Sequence, residues 1–199
     1  MIVWLCGNGG DARQLLPFAR RLAPRAGYFG IRGRVRQGGE SRYFRKRRDD
    51  SFDIPDLEVR VRELAQRICE ATHRFNPQEH PLFVAGYSNG GNAASGFCAD
   101  PSFMSLLSGI AFLRPFMPHK WKRHLQDYAL DLHKTPAYVG IGASDMPGHE
   151  RHWREVLSGA NANLTLHVED AHHGLVREDR THLRKWMQQI MNERKHGTP

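Results

Sequence analysis

The chain has 199 residues, of which 40% are hydrophobic and 25% charged, a balance that supports one domain with a buried core and excludes a disordered polyelectrolyte. No apolar run approaches the roughly 20 residues of a bilayer-spanning helix. Cys6, Cys69 and Cys98 are an odd set without CxxC spacing, which speaks against a zinc site and for free thiols in a reducing cytoplasm.

Part of the net charge of +8 falls on Arg32, Arg34, Arg36, Arg42, Arg45, Lys46, Arg47 and Arg48. Such a run attracts nucleic acid, anionic lipid or acidic substrates nonspecifically. Its glycines and lone aromatics match no nucleic-acid-binding pattern, so a solvated loop is the simpler reading, with no specific nucleic acid partner.

In chain order the segments alternate between strand and helix patterns, which predicts an α/β fold with a mostly parallel sheet flanked by helices. The opening MIVWLCGNGGD is apolar from its first residue and has no basic start, so it reads as a strand over residues 2–5 rather than a secretory signal. The Gly-rich loop CGNGGD follows, and Asp11 is expected to cap a helix through Leu22, with Leu15, Leu16, Phe18, Ala19 and Leu22 at helical spacing. Residues 23–53, rich in Gly, Arg and Pro, read mostly as loops, with one short strand at 28–31.

Asp53 or Asp56 begins a clear helix with Leu57, Val61, Leu64, Ala65 and Ile68 on its apolar face, running to Phe75 and stopped by Asn76-Pro77. Strands are expected at 82–85, 106–113, 137–141 and 164–168. Helices are expected from Asn92, over 150–157 and over 178–191. No repeat, low-complexity tract or domain boundary stands out.

Gly86-Tyr87-Ser88-Asn89-Gly90 fits G-x-S-x-G, in which a serine sits on a sharp strand-to-helix turn. Side chains two residues before or after it would strike the neighbouring strand and helix, so glycine is required at both places. In a chain with 19 glycines the pattern alone is weak, and a structural Gly-Ser turn is the competing reading.

A nucleophilic serine needs a base, and the base an orienting acid, in the chain order Ser, Asp or Glu, His. Asp145 follows the strand AYVGIG, and the loop EDAHHG follows LTLHV. His173 stands before Gly174, where the backbone can turn, and is preferred to His172. Asp170 lies on the histidine's own loop and fits less well than Asp145. The oxyanion donors are expected from the N–H of Asn89, after the serine, and from the loop Cys6-Gly7-Asn8-Gly9-Gly10. No G-x-G-x-x-G follows the first strand, so a dinucleotide site is a poor fit.

Taken together, CGNGGDARQLLPFARRLAP, GYSNGG, GASD and HHGLVREDRTHLRKWM resemble the phospholipase/carboxylesterase family of small α/β-hydrolases, which includes acyl-protein thioesterases and predicted bacterial esterases. The resemblance spans nearly the whole chain. It implies an α/β-hydrolase fold, Ser88 as nucleophile, Asp145 as acid, His173 as base, and Asn8 and Asn89 as backbone oxyanion donors. The substrate would be a small ester or thioester, with no metal or organic cofactor.

Three departures are visible. Cys6 replaces the family's usual histidine before the oxyanion-loop glycine, Met146-Pro147-Gly148 follows the acid, and the family commonly has further strand before residue 1. The short stretch between Ser88 and Asp145 leaves no room for a large lid. Phe44, Phe116 and Met117 are candidate walls of an acyl pocket, with core packing as the competing role. Two other classes fit parts of the sequence: a catalytically silent binding protein on the same fold, and a basic binder acting through residues 32–48.

Overall fold

The computed structural model describes residues 1–49, 51–75, 80–128 and 130–196. The chain begins with β1 (Ile2–Leu5), α1 (Leu16–Leu22) and β2 (Tyr28–Ile31), then forms a hairpin of β3 (Val35–Gln37) and β4 (Glu40–Arg42). The long α2 (Ile54–Thr72) leads to β5 (Phe83–Tyr87), α3 (Asn89–Ser95), a short α4 (Pro101–Met104) and β6 (Gly109–Leu113). The remainder is α5 (His119–Asp127), β7 (Pro136–Gly142), α6 (His149–Gly159), β8 (Asn163–Glu169) and α7 (Arg177–His196). The expected helix stop at Asn76-Pro77 lies outside the described residues.

Six strands pair in the order β2-β1-β5-β6-β7-β8, every neighbour parallel. Alternation along each strand sends side chains to two separate cores, as a sheet covered on both faces requires. Val3, Leu5, Val84, Ile110, Phe112, Val139 and Ile141 meet α2, α3, α5 and α6 on one side. Ile2, Trp4, Phe83, Ala85, Ala111, Leu113 and Tyr138 meet α1 and α7 on the other. The order reverses between β1 and β5, and in parallel sheets the crevice beyond the strand ends at such a reversal is where ligands bind.

Two local expectations need correction. Helix α1 starts at Leu16 rather than after Asp11, and no side chain caps it. With Asp11 as cap, Pro17 would fall inside the helix, where it lacks a donor and collides with the preceding turn. Starting at Leu16 puts it in the first turn, where Pro is tolerated. Asp11 instead accepts the Arg13 N–H at 2.7 Å and closes a turn.

Residues 35–42 are a hairpin and not a loop. Gly38 and Gly39 have φ of +59° and +80°, the pair of positive values a two-residue type I′ turn demands. The Gly-Gly between alternating Val35-Arg36-Gln37 and Glu40-Ser41-Arg42 was the available signal.

Candidate active site

Ser88 occupies the step between β5 and α3 with φ +54° and ψ −119°, a conformation that costs a non-glycine residue on the order of 1–3 kcal/mol. The turn is held by Ser88 N–H to the Leu113 carbonyl (2.8 Å) and Asn92 N–H to the Ser88 carbonyl (3.0 Å). Helix α3 therefore begins at Asn89, three residues earlier than expected. Both flanking glycines are sterically required. A Cβ on Gly86 would lie 2.3 Å from the Gly90 carbonyl oxygen, and one on Gly90 2.2 Å from that of Leu5.

His173 Nε2 lies 2.8 Å from Ser88 Oγ, and His173 Nδ1 lies 2.7 Å from Asp145 Oδ2. His172 and Asp170, the weaker candidates, are both exposed. Asp145 sits on a turn after β7, its N–H bonded to the Gly142 carbonyl at 3.1 Å. Gly142 lets this turn press against the histidine loop: a Cβ there would lie 2.4 Å from the His172 carbonyl oxygen.

The histidine loop hangs on a group the sequence reading passed over. Arg114, directly after β6, is 1% exposed and has φ +50°. Its guanidinium makes a two-pronged pair with Asp179 of α7, Nη1–Oδ1 at 2.8 Å and Nη2–Oδ2 at 2.7 Å. The same group donates to the carbonyls of His172 (3.1 Å) and Gly174 (3.3 Å), on either side of His173. Tyr87 completes the grip by donating its hydroxyl to the His173 carbonyl at 3.0 Å. The five donors of a planar guanidinium are suited to this branching role.

On the other side of Ser88, a Cβ on Gly7 would sit 3.4 Å from Ser88 Cβ, so the loop after β1 lies against the serine. Gly9 N–H is bonded to the Ser41 carbonyl (2.9 Å) and Gly10 N–H to that of Gly7 (3.2 Å). Asn8 is exposed between them, and Asn89 is buried at the head of α3. Tyr43 ties the two together. Its hydroxyl accepts the Cys6 N–H (2.9 Å) and donates to the Ile31 carbonyl, while its own N–H donates to Asn89 Oδ1 (2.9 Å). Burial holds the Tyr43 hydroxyl well above its ordinary pKa, so it stays a neutral donor. Cys6 contributes a buried thiol 3.4 Å from the Gly10 carbonyl.

The expected pocket residues separate. Phe44 and Met117 are fully buried in the core, while Phe116 is partly exposed. Phe116 stacks on His149 with ring centroids 4.9 Å apart, and its N–H donates to Asn92 Oδ1 (2.7 Å), one turn into α3 from Ser88. His149 accepts the Met117 N–H at Nδ1, and desolvation, then the nearby His152, lowers its pKa. Grooves of about 570 and 630 Å³ elsewhere on the surface include none of Ser88, Asp145 or His173.

Of the basic run, Arg32, Arg34, Arg36, Arg45, Arg47 and Arg48 are exposed. Arg32 and Arg36 both donate to the Ser41 hydroxyl, so part of the charge braces the hairpin residue whose carbonyl holds the Gly9 N–H in the loop after β1.

This fold, with a serine elbow at the sheet's reversal point, defines a hydrolase class, and the chain belongs to the alpha/beta hydrolase domain family, whose profile matches residues 40–196. It is a hydrolase of the α/β-hydrolase/carboxylesterase type, with no large separate lid domain among the described residues.

Among particular proteins, MhqD of Bacillus subtilis (strain 168), provisionally named a hydrolase, is 29% identical over 197 residues, 96% of this chain and 94% of that protein. The Bacillus cereus carboxylesterase superposes with a TM-score of 0.79 at 26% identity, covering 96% of this chain and 88% of that one. Arabidopsis thaliana SOBER1 shares the fold at a TM-score of 0.79 and 16% identity, covering 96% and 98% of the two chains.

Proposed function

We propose that the protein is a serine esterase that cleaves small carboxylic esters or thioesters through an acyl-enzyme, the chain acting as one domain. The observation that carries this reading is the unbroken relay of Asp145 Oδ2, the His173 ring and Ser88 Oγ at 2.7 and 2.8 Å. Asp145 accepts from His173 Nδ1–H, which leaves Nε2 as the acceptor for the serine proton. As Ser88 Oγ attacks the acyl carbon, the proton passes to Nε2 and Asp145 stabilises the resulting imidazolium. The tetrahedral oxyanion is received by the N–H groups of Asn8 and Asn89. His173 returns the proton to the leaving alcohol or thiol, then takes one from the water whose oxygen attacks the acyl carbon and passes it to Ser88 Oγ as the acid leaves.

Substrate size follows from access. The His173 side chain is 43% exposed and no lid domain covers it among the described residues, which suits short, uncharged acyl groups, with Phe116 as the apolar wall. Behind it Phe52 meets both Phe116 and Phe44, with ring centroids 6.1 and 4.8 Å apart, and Met117 is buried in the same core. Three unpaired thiols support a reducing, cytoplasmic setting, and no described helix is long and apolar enough to cross a membrane.

The test is hydrolysis of a short-chain aryl ester by the wild type and Ser88→Ala. The variant is expected to lose about 10⁴-fold or more in kcat, as for other serine triads. Full activity in Ser88→Ala removes the reading.

A further inference from the structure

We propose that His167, Glu169 and His182 form a binding site for a divalent transition-metal ion of the zinc class at the outer edge of the sheet. The site stands apart from the serine chemistry and does not rest on it. Linear spacing conceals it, because the ligands come from a strand and a helix and none is a cysteine.

His167 and Glu169 are two residues apart on β8, so their side chains leave the same face of the strand. Among the described residues no strand pairs beyond β8, so the three side chains lie at the rim of the sheet. Helix α7 crosses the face and brings His182 over the pair, three residues after the Asp179 that Arg114 fixes. One nitrogen from each ring and one carboxylate oxygen all lie within 4.8 Å of one another. Tetrahedral bonds of about 2.0–2.2 Å set ligand atoms roughly 3.3–3.6 Å apart, so the wider pairs must close and the Glu169–His182 pair, now at 2.6 Å, must open.

His182 Nδ1 is 2.6 Å from Glu169 Oε1, and the two imidazoles stack at 4.2 Å with their planes 11° apart. Coordination replaces the Glu169–His182 hydrogen bond with a shared ion and tilts the rings so that both lone pairs meet at one point. The His182 side chain is 32% exposed and Glu169 10%, which gives the outer ring room to turn and the ion an entry path. On the inner side Tyr138 stacks on His167 and fixes its plane.

Two imidazoles and one carboxylate suit Zn²⁺, Co²⁺, Ni²⁺ or Cu²⁺ and are a poor set for Mg²⁺ or Ca²⁺. The site also touches the frame of the active site. The Glu169 carbonyl accepts the N–H groups of Ala143 and Ala171, both at 2.8 Å, at the roots of the loops that carry Asp145 and His173.

The experiment uses the tag-free full chain, stripped with a chelator and titrated with Zn²⁺ against a chromophoric competitor, and separately with Co²⁺ followed by visible absorption. One tight equivalent per chain is expected, with the intense Co²⁺ bands of a four-coordinate site. His167→Ala, His182→Ala and Glu169→Gln should each weaken it by at least about tenfold, since losing a mere supporting contact to a ligand costs that much. Glu169→Gln keeps the side-chain volume and guards against a folding artefact. His124→Ala, at a histidine paired with Glu58 elsewhere, should leave it unchanged. Zn²⁺ should raise the unfolding midpoint of the wild type and not of the three variants. Absence of a tight equivalent, or equal binding in wild type and all three variants, overturns the site.

Discussion

On the serine side of the Ser88–His173 contact, backbone presses on backbone: Gly86 and Gly90 leave no space for a Cβ, and α3 abuts the end of β1. On the histidine side the same closeness is reached with charge, through a fully buried Arg114–Asp179 pair whose guanidinium also holds the carbonyls flanking His173. The first design tolerates almost no substitution, because a rigid backbone has nowhere to go. The second depends on long-range partners and is open to matched replacement. Ser88, which adopts φ +54°, is held by sterics, whereas His173, whose ring position is what the proposed chemistry needs, is held by hydrogen bonds to its loop.

The largest effect should come from the charged side. Arg114→Met strands Asp179 and frees the His172 and Gly174 carbonyls, at about 3–5 kcal/mol of stability in denaturant unfolding. Pairing it with Asp179→Leu should recover much of that stability, because no buried charge remains, yet leave kcat depressed because the loop anchors are still missing. If the double variant regains kcat as well, Arg114 has no positioning role.

Gly90→Ala is expected to cost about 1–3 kcal/mol and to lower activity further than its stability explains. Unchanged unfolding and turnover would break the steric half of the comparison. Tyr87→Phe removes one hydrogen bond to the His173 carbonyl, worth about 1 kcal/mol, so a modest fall in kcat with KM unchanged is the expected readout.

The smallest effect concerns pH. The folded-state pKa of His149 is lowered, so in acid the unfolded chain binds the extra proton first. Its stabilising contribution is complete above the ordinary value of 6.5 and is lost as pH falls from there through the folded value. His149→Phe, which keeps an aromatic ring against Phe116, should flatten the fall in unfolding midpoint over that window. An identical profile in the variant would remove His149 as its source.

Much of this arrangement was legible in the chain. Ser88, Asp145 and His173 each follow an apolar run, in an order only one sheet geometry reconciles, and glycine marks the tight places. The strand and helix sequence was readable for the same local reason. What escaped was long-range. Nothing near Arg114 announces Asp179, and Tyr43 lies among arginines with no hint that it bridges Cys6 and Asn89. The helix at His119–Asp127 also escaped: its apolar face is only Trp121 and Leu125. Asp11 misled because a good capping residue outweighed Pro17, whose position rules that helix out. The hairpin at Gly38-Gly39 was missed because arginine density resembled a loop, although exposed Arg34 and Arg36 flank buried Val35 with the alternation of a strand.

Both halves of the comparison converge on Ser88 Oγ, the proposed nucleophile, and labelling addresses it directly. Incubation with a fluorophosphonate, followed by intact-mass and peptide analysis, should place one equivalent on Ser88, with no adduct in Ser88→Ala and much slower labelling in His173→Ala. A wild-type protein that stays unlabelled, or that carries the adduct on a residue other than Ser88, contradicts the account.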